Sequence, residues 1–243
     1  MCWFRGNPSW FNKLKVQVEE KYPHLKFFTY NNEILALRGL INLTVGSNTL
    51  DSYEIEIVFP KQYPSEVPLV RETAGRIPRI LDRHVYKKTG FFCFGPRLAI
   101  KEAWVKNPIL ISFLSAHVIP FLANQSYYER TGEWKNGDYA HGKEGIIQYY
   151  SERFGIKDAD ELITVLNSVI GGVKTGRNNP CFCNSGKKAK KCHLSLALEL
   201  RRLGDKRVFI EDMKSLSSDS KTSESQEKQA LEVATVSAKL APK

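Results

Sequence analysis

Cys181, Cys183, Cys192 and His193 fall within thirteen residues in the spacing C-x-C-x8-C-H, and this cluster limits what the surrounding chain can do. Three thiols and one imidazole are a complete ligand set for one tetrahedral zinc ion. Four protein ligands leave no coordination position open, so the Zn2+ expected here is structural and not hydrolytic. A chance grouping is the alternative. Residue types, spacing and the flanking Ser185-Gly186-Lys187-Lys188 all argue against it. The cluster uses three of the five cysteines and leaves Cys2 and Cys93 to be read on their own.

The 243 residues have room for one domain of ordinary size and an appendage, and at 42% hydrophobic they can bury a core. The net charge of +10 is uneven: between Lys174 and Arg207, ten Lys/Arg stand against Glu199 and Asp205. A basic patch confined to the zinc segment suits an acidic protein, nucleic acid or lipid headgroups; the alternative is that its lysines only solubilise it. Clustered thiols are not a secreted disulfide framework and point to a reducing compartment, the cytoplasm. Met1-Cys2-Trp3-Phe4-Arg5-Gly6 lacks the basic and apolar regions of a signal peptide. The longest apolar run, 108–123, contains His117 and Pro120 and is too short to span a bilayer, so no transmembrane segment is expected.

Trp10, Phe11, Leu14 and Val18 form one stripe of a predicted helix over 8–22. Strands are expected at 25–30, 34–43, 52–59 and 69–72, with Asn31-Asn32 and Gly46-Ser47-Asn48 as turns. Three prolines keep Pro60 to Pro68 irregular. An irregular loop over 74–100 carries His84, Gly90 and Cys93. Apolar pairs predict a helix over 108–124, and further helix is expected around 126–129, 145–154, 158–170 and 194–203. Asp158 and Glu161 read as a capping box. Gly171-Gly172 reads as the start of a flexible joint. The fold class is α+β. The expected division is 1–170 for the main domain, 171–176 for a linker, 177–207 for the zinc module, and 208–243 for a disordered tail.

Phe59-Pro60-Lys61-Gln62-Tyr63-Pro64-Ser65-Glu66-Val67-Pro68 resembles the proline-rich turn after the third strand of ubiquitin-conjugating enzymes. His84 to Cys93 resembles their active-site segment, in which a histidine precedes G-x-x-C, and Trp104 to Leu110 resembles the segment that follows. The resemblance covers about residues 8–155. Gly137-Asp138-Tyr139-Ala140-His141-Gly142 and Gly145 to Tyr150 are similar to the bacterial branch, some members of which are encoded with a cyclic-nucleotide synthase in antiphage islands. Separately, Pro180 to His193 resembles the C-terminal zinc motif of the preprotein-translocase ATPase SecA, although the chain contains no Walker motif.

The first resemblance implies a conjugating fold in which Cys93 accepts a protein C-terminus as a thioester and passes it to an amine. A thiolate suits this because it is strongly nucleophilic and its thioester stays reactive to amines. It further implies an activating enzyme in trans and a donor protein with a reactive C-terminus, a cyclic-nucleotide synthase among the candidates. His84 is expected to shape the loop or polarise an attacking group, and His141 to help deprotonate the amine. His117 reads as a core residue, and Arg97 is the nearby cation that would lower the thiol pKa. Arg83-His84-Val85-Tyr86 stands where the family has His-Pro-Asn, so no oxyanion residue is assigned. From the residues alone, Cys93 among Phe91, Phe92 and Phe94 is equally a small buried residue. Two other readings stay open: a catalytically inactive adaptor of the same fold with a zinc tail, and a nucleic-acid-binding protein led by the basic module.

Overall fold

A computed structural model describes residues 2–135, 142–156, 158–203 and 206–217. The elements run α1 (Trp3–Gly6), α2 (Pro8–Lys21), β1 (Leu25–Tyr30), β2 (Ile34–Val45), β3 (Asn48–Val58) and β4 (Leu69–Glu72). They continue with α3 (Arg97–Lys106), α4 (Leu110–Phe113), α5 (Ile119–Thr131), α6 (Gly142–Phe154), α7 (Ala159–Ile170), α8 (Leu194–Leu203) and α9 (Lys206–Ser217). A single π turn, Leu114–Val118, joins α4 to α5. The expected α+β class holds, with one four-stranded antiparallel sheet in the order β1-β2-β3-β4. The described residues divide into two compact units, 2–94 with 106–135, and Gly95–Val105 with the residues from 142 onward.

In the first unit, Asn7 starts α2 by accepting the Trp10 N–H at 3.2 Å, with Pro8 in the first turn. Leu14 and Val18 of that helix are buried. Phe11 meets Phe27 of β1 edge-on at 5.3 Å, so α2 covers the sheet face that Phe27 shares with its partner Leu37. Residues 60–68 are irregular, as their prolines require, and Tyr63 is buried against Trp3 at 4.7 Å.

The opposite face carries Tyr30, Ile34, Ala36 and Val58, joined by Tyr86 and Phe91. A full charge lies on that face: Glu56 is 0% exposed. Its carboxylate accepts from Arg38 Nη2 at 3.1 Å, from Arg71 Nε at 2.6 Å and from the Tyr30 hydroxyl. Such a group is tolerated only when its lone pairs are satisfied.

The second unit is helical. Leu162, Val165, Leu166 and Val169 form one buried stripe of α7, and Ala197, Leu200, Phe209, Leu216 and Leu98 join its core. Tyr149 donates to Glu102 at 3.0 Å and Arg153 Nη2 to the same carboxylate at 3.0 Å. Arg97 pairs with Glu211. Asp212, 4% exposed, accepts from the Tyr150 hydroxyl at 2.9 Å.

Three of the boundaries that differ from expectation are set by distant contacts. α3 begins inside the expected loop over 74–100: its buried Glu102 is matched by Arg153, 51 residues away, which no local pattern shows. Lys206–Ser217 is helical, where a disordered tail was expected from 208, because Phe209, Asp212 and Leu216 share one buried stripe; residues 218–243 lie outside the described ones. Gly171-Gly172 closes α7 rather than opening a free joint. Val173 N–H bonds to Ser168 O at 2.9 Å, the Val173 side chain joins the helical core, and Arg201 holds Gly172 O at 3.0 Å.

Burial pushes the Asp212 carboxyl up to about 6, with Tyr150 and the Arg97 charge pulling the other way. The folded state therefore binds this proton more tightly than the unfolded state. Its stabilising contribution is complete below the ordinary value of 3.8 and is lost as pH rises to about 6. Asp212→Asn keeps an acceptor for Tyr150 without the charge. Urea unfolding should find the variant level with wild type near pH 4 and more stable, by on the order of 2 kcal/mol, above pH 7. A variant less stable than wild type above pH 7 would contradict this account.

Candidate functional site

Cys93 is placed by three hydrogen bonds of the backbone. Phe91 bridges antiparallel to Arg71, and Phe92 N–H donates to Val70 O at 2.7 Å, so the segment runs along β4 as an added strand. On its other side Phe92 bridges to Val85, Tyr86 N–H donates to Phe91 O at 3.0 Å, and Cys93 N–H donates to His84 O at 2.7 Å. Residues 91–93 are thus threaded between β4 and the 84–86 segment.

Successive side chains of an extended segment point to opposite faces. Phe91 lies under the Arg71 guanidinium at 5.2 Å, and both it and the half-buried Cys93 pack on the face that carries Tyr30 and Tyr86. Phe92 and Phe94 turn the other way and meet Phe121 at 4.3 and 5.5 Å. His117 belongs to that second side, 6.3 Å from Phe94 and 5.4 Å from Phe113, and burial lowers its pKa. It is half-buried beside aromatic rings and not one of the fully buried core residues, in contrast to its reading as a core residue.

The loop that supplies His84 is anchored from one side. Arg83 Nε donates to Gln125 Oε1 at 2.7 Å, Gln125 Nε2 returns a bond to Arg83 O at 2.9 Å, and the guanidinium lies 4.6 Å from the Tyr128 ring. His84 itself has φ +52°, and its ring meets Trp134 edge-on at 5.9 Å. The structure brings His84 and Cys93 together through the main chain. It also commits the Cys93 amide, so that N–H is not available to a thioester oxyanion. His141 lies outside the described residues. Arg97 belongs to the second unit, where Glu211 pairs with it.

The second cluster comes together as the spacing predicts. Ligand atoms of Cys181, Cys183, Cys192 and His193 all lie within 4.8 Å of one another. Local turns build the knuckle. Cys181 N–H bonds to Lys187 O at 2.8 Å, Asn184 N–H to Cys181 O at 3.1 Å, and Cys192 N–H to Ala189 O at 3.0 Å. Asn184 and Gly186 take the left-handed conformations that reverse the chain, at φ +58° and +75°.

The residues fit a zinc ion in chemistry and in size. Metal–sulfur bonds of about 2.3 Å in a tetrahedron set sulfurs about 3.8 Å apart, and a nitrogen ligand shortens the edge slightly. Observed edges are 3.6 Å for Cys183–Cys192, 3.5 Å for Cys192 Sγ–His193 Nδ1 and 3.7 Å for Cys181 Sγ–His193 Nδ1. Ser185 Oγ, 3.2 Å from Cys183 Sγ, pulls that thiol down to about 6, towards the thiolate a metal needs.

One participant was not read from the sequence as part of this site. His193 Nε2 lies 2.8 Å from Glu161 Oε1 of α7. Glu161 was expected to complete a capping box. Its amide does take the cap, donating to Asp158 Oδ2 at 2.8 Å, but its carboxylate turns to the imidazole. A pairing across 32 residues has no local signature.

Residues 177–195 match the SEC-C motif. The chain is similar to the protein translocase subunit SecA of Cupriavidus pinatubonensis, at 40% identity over 65 residues, or 27% of this chain and 6% of the relative. It is similar to SecA of Burkholderia ambifaria at 31% over 120 residues, 46% of this chain and 13% of the relative. A UPF0225 protein of Vibrio parahaemolyticus is 44% identical over 50 residues, 21% of this chain and 30% of the relative. The chain therefore spans less than a third of the length of these relatives. No solved structure gives a significant match. Among the described residues no helix is long and apolar enough to cross a membrane.

Elemental analysis of the full chain should find about one zinc per molecule. Cys181→Ser and Cys192→Ser should each lose it, and the helical circular dichroism of α8 should weaken with it. Zinc content unchanged in both variants would place the ion elsewhere.

Proposed function

We propose that this chain is a ubiquitin-conjugating-like acyl carrier braced by one structural zinc ion. Support comes from the likeness of residues 8–155 to that family, together with a meander sheet whose Pro-rich connection precedes a cysteine held beside β4. The observation that carries the reading is the placement of Cys93, a half-buried thiol fixed at its own amide and at both preceding residues. A thiol held this way meets an incoming carbonyl without first ordering its loop.

The chemistry is acyl transfer in two steps. An activating enzyme acting in trans presents a donor protein's C-terminal carbonyl on an activated leaving group. The Cys93 thiolate attacks, the leaving group departs, and a thioester forms. An amine then attacks the thioester carbonyl, an amide forms, and the thiol is released with its proton. His84 shapes the loop through its carbonyl, and His141 is the proposed proton acceptor for the amine. A cyclic-nucleotide synthase remains a candidate donor, which would place the chain in antiphage defence, and the cytoplasm is the proposed compartment. Lys187, Lys188, Lys190 and Lys191 are exposed on the SEC-C knuckle and suit an acidic surface of a protein or nucleic acid.

A second reading, an inactive adaptor of the same fold, is favoured by one observation. Cys93 packs against the cluster of Tyr30, Tyr86 and Phe91, and its amide is already bonded.

Incubating the chain with an activating enzyme, donor and ATP should give a higher-mass adduct that thiol removes. Cys93→Ser should trap a thiol-resistant oxyester, and Cys93→Ala should give none. An adduct on Cys93→Ala sinks the carrier reading; absence of any adduct, with stable co-purification of the donor, favours the adaptor. Replacing the four lysines by alanine should leave the adduct intact and abolish the salt-sensitive part of partner binding, seen as a flat response between 50 and 300 mM salt. Steep salt dependence towards nucleic acid instead would favour the third class.

A further inference from the structure

The contact between His193 and Glu161 does more than join two surfaces. Cys181 Sγ and Cys192 Sγ lie 3.7 and 3.5 Å from Nδ1, which is therefore the nitrogen that faces the ligand cluster. Its ring partner Nε2 faces the Glu161 carboxylate at 2.8 Å. An imidazole that ligates through Nδ1 must carry its proton on Nε2, and a carboxylate acceptor there selects that tautomer and fixes the ring plane. Phe182 lies across the same ring at 6.0 Å, inclined by 30°, and joins the helical core.

Glu161 is itself held in place. It stands in the first turn of α7, which is seated by the apolar stripe that begins at its neighbour Leu162, 1% exposed. On the other side of the contact, His193 O accepts the Ala197 N–H at 2.9 Å, so the ligand residue opens α8. Leu194, Ala197 and Leu200 of that helix are buried. The imidazole thus stands between α7 and α8.

We propose that Glu161 is a positioning residue of the metal centre. Its carboxylate holds His193 in the ligating tautomer, and through it metal binding tightens the seating of α8 on α7. The proposal rests on the zinc reading above and adds the link to the helical unit. Glu161 is not a member of the ligand set, so its removal leaves that set complete but loosely held.

The experiment is chelator competition on the full-length protein with zinc as the probe, comparing wild type, Glu161→Ala, Glu161→Gln and Asp158→Ala. Glu161→Ala should still bind about one zinc but 10- to 100-fold more weakly. Glu161→Gln keeps an acceptor oxygen and should recover part of that loss. Asp158→Ala removes the cap of α7 without touching the imidazole, and should leave zinc affinity within about twofold of wild type. In zinc-loaded wild type, a slowly exchanging imidazole Nε2–H should be visible by NMR, and it should be lost to exchange in Glu161→Ala. Melting of the zinc-loaded and chelator-treated proteins should differ less in Glu161→Ala than in wild type. Unchanged affinity in Glu161→Ala, or an equal loss in Asp158→Ala, overturns the positioning role. Absence of zinc from wild type overturns the zinc reading instead. Should Glu161→Ala fail to fold, the comparison of Glu161→Gln with Asp158→Ala decides: equal affinities would overturn the proposal.

Discussion

Glu56 is the constraint on which the first unit depends. A carboxylate with no exposure to water must find donors within the protein, or the fold loses several kcal/mol at that one residue. It finds them on three strands: Tyr30 of β1, Arg38 of β2 and Arg71 of β4 all reach Glu56 of β3. Any slip in register would separate at least one of these partners, and a slip by one residue would turn the charge to the α2 face. The arrangement also extends past the sheet. Arg71, held by Glu56, lies over Phe91, and Phe91 is two residues from Cys93. The position of the thiol is thereby tied to a charge buried in the strand order.

The second unit is ordered differently, although Glu102 and Asp212 are buried in it. Its order comes from an apolar stripe on α7 and from a few polar ties across long sequence distances, Arg153 to Glu102 and His193 to Glu161. The first tie settles a helix, and the second joins the SEC-C knuckle to the core. The knuckle also presents its lysines outward while Ala189 and Cys181 are buried, so charge and packing occupy opposite sides of a very short segment.

What could be read from the sequence follows from the range of the forces involved. The α2 stripe, the strands from Leu25 to Val58, the Pro-rich interruption and the C-x-C-x8-C-H cluster rest on neighbours within one or two turns, and local pattern reveals them. The hairpin of β2 and β3 runs longer than alternation suggested, since its outer ends are polar or exposed and a bulge between Leu43 and Thr44 breaks the pattern. Helix α3 was hidden because its buried side contains a glutamate, which reads as surface until Arg153 is known to face it. Residues 208–217 were hidden for a related reason: Val208, Phe209, Met213 and Leu216 stand at the edge of a Ser/Lys/Glu-rich stretch, and they read as tail until the core they enter is known. Glu161 was visible, but in the role its sequence neighbours suggest.

The alternation at residues 91–94 has a consequence for how the chain tolerates change. Which surroundings the sulfur meets is a matter of odd and even numbering along one short stretch. The tyrosine-lined side belongs to 91 and 93, and the side with Phe121 and His117 to 92 and 94. Losing or gaining a single residue between Gly90 and Cys93 would leave composition and hydrophobicity almost untouched, yet deliver the thiol to the other side of the segment. The loop can therefore drift in side-chain identity far more freely than in length, and its length acts as an address for the cysteine.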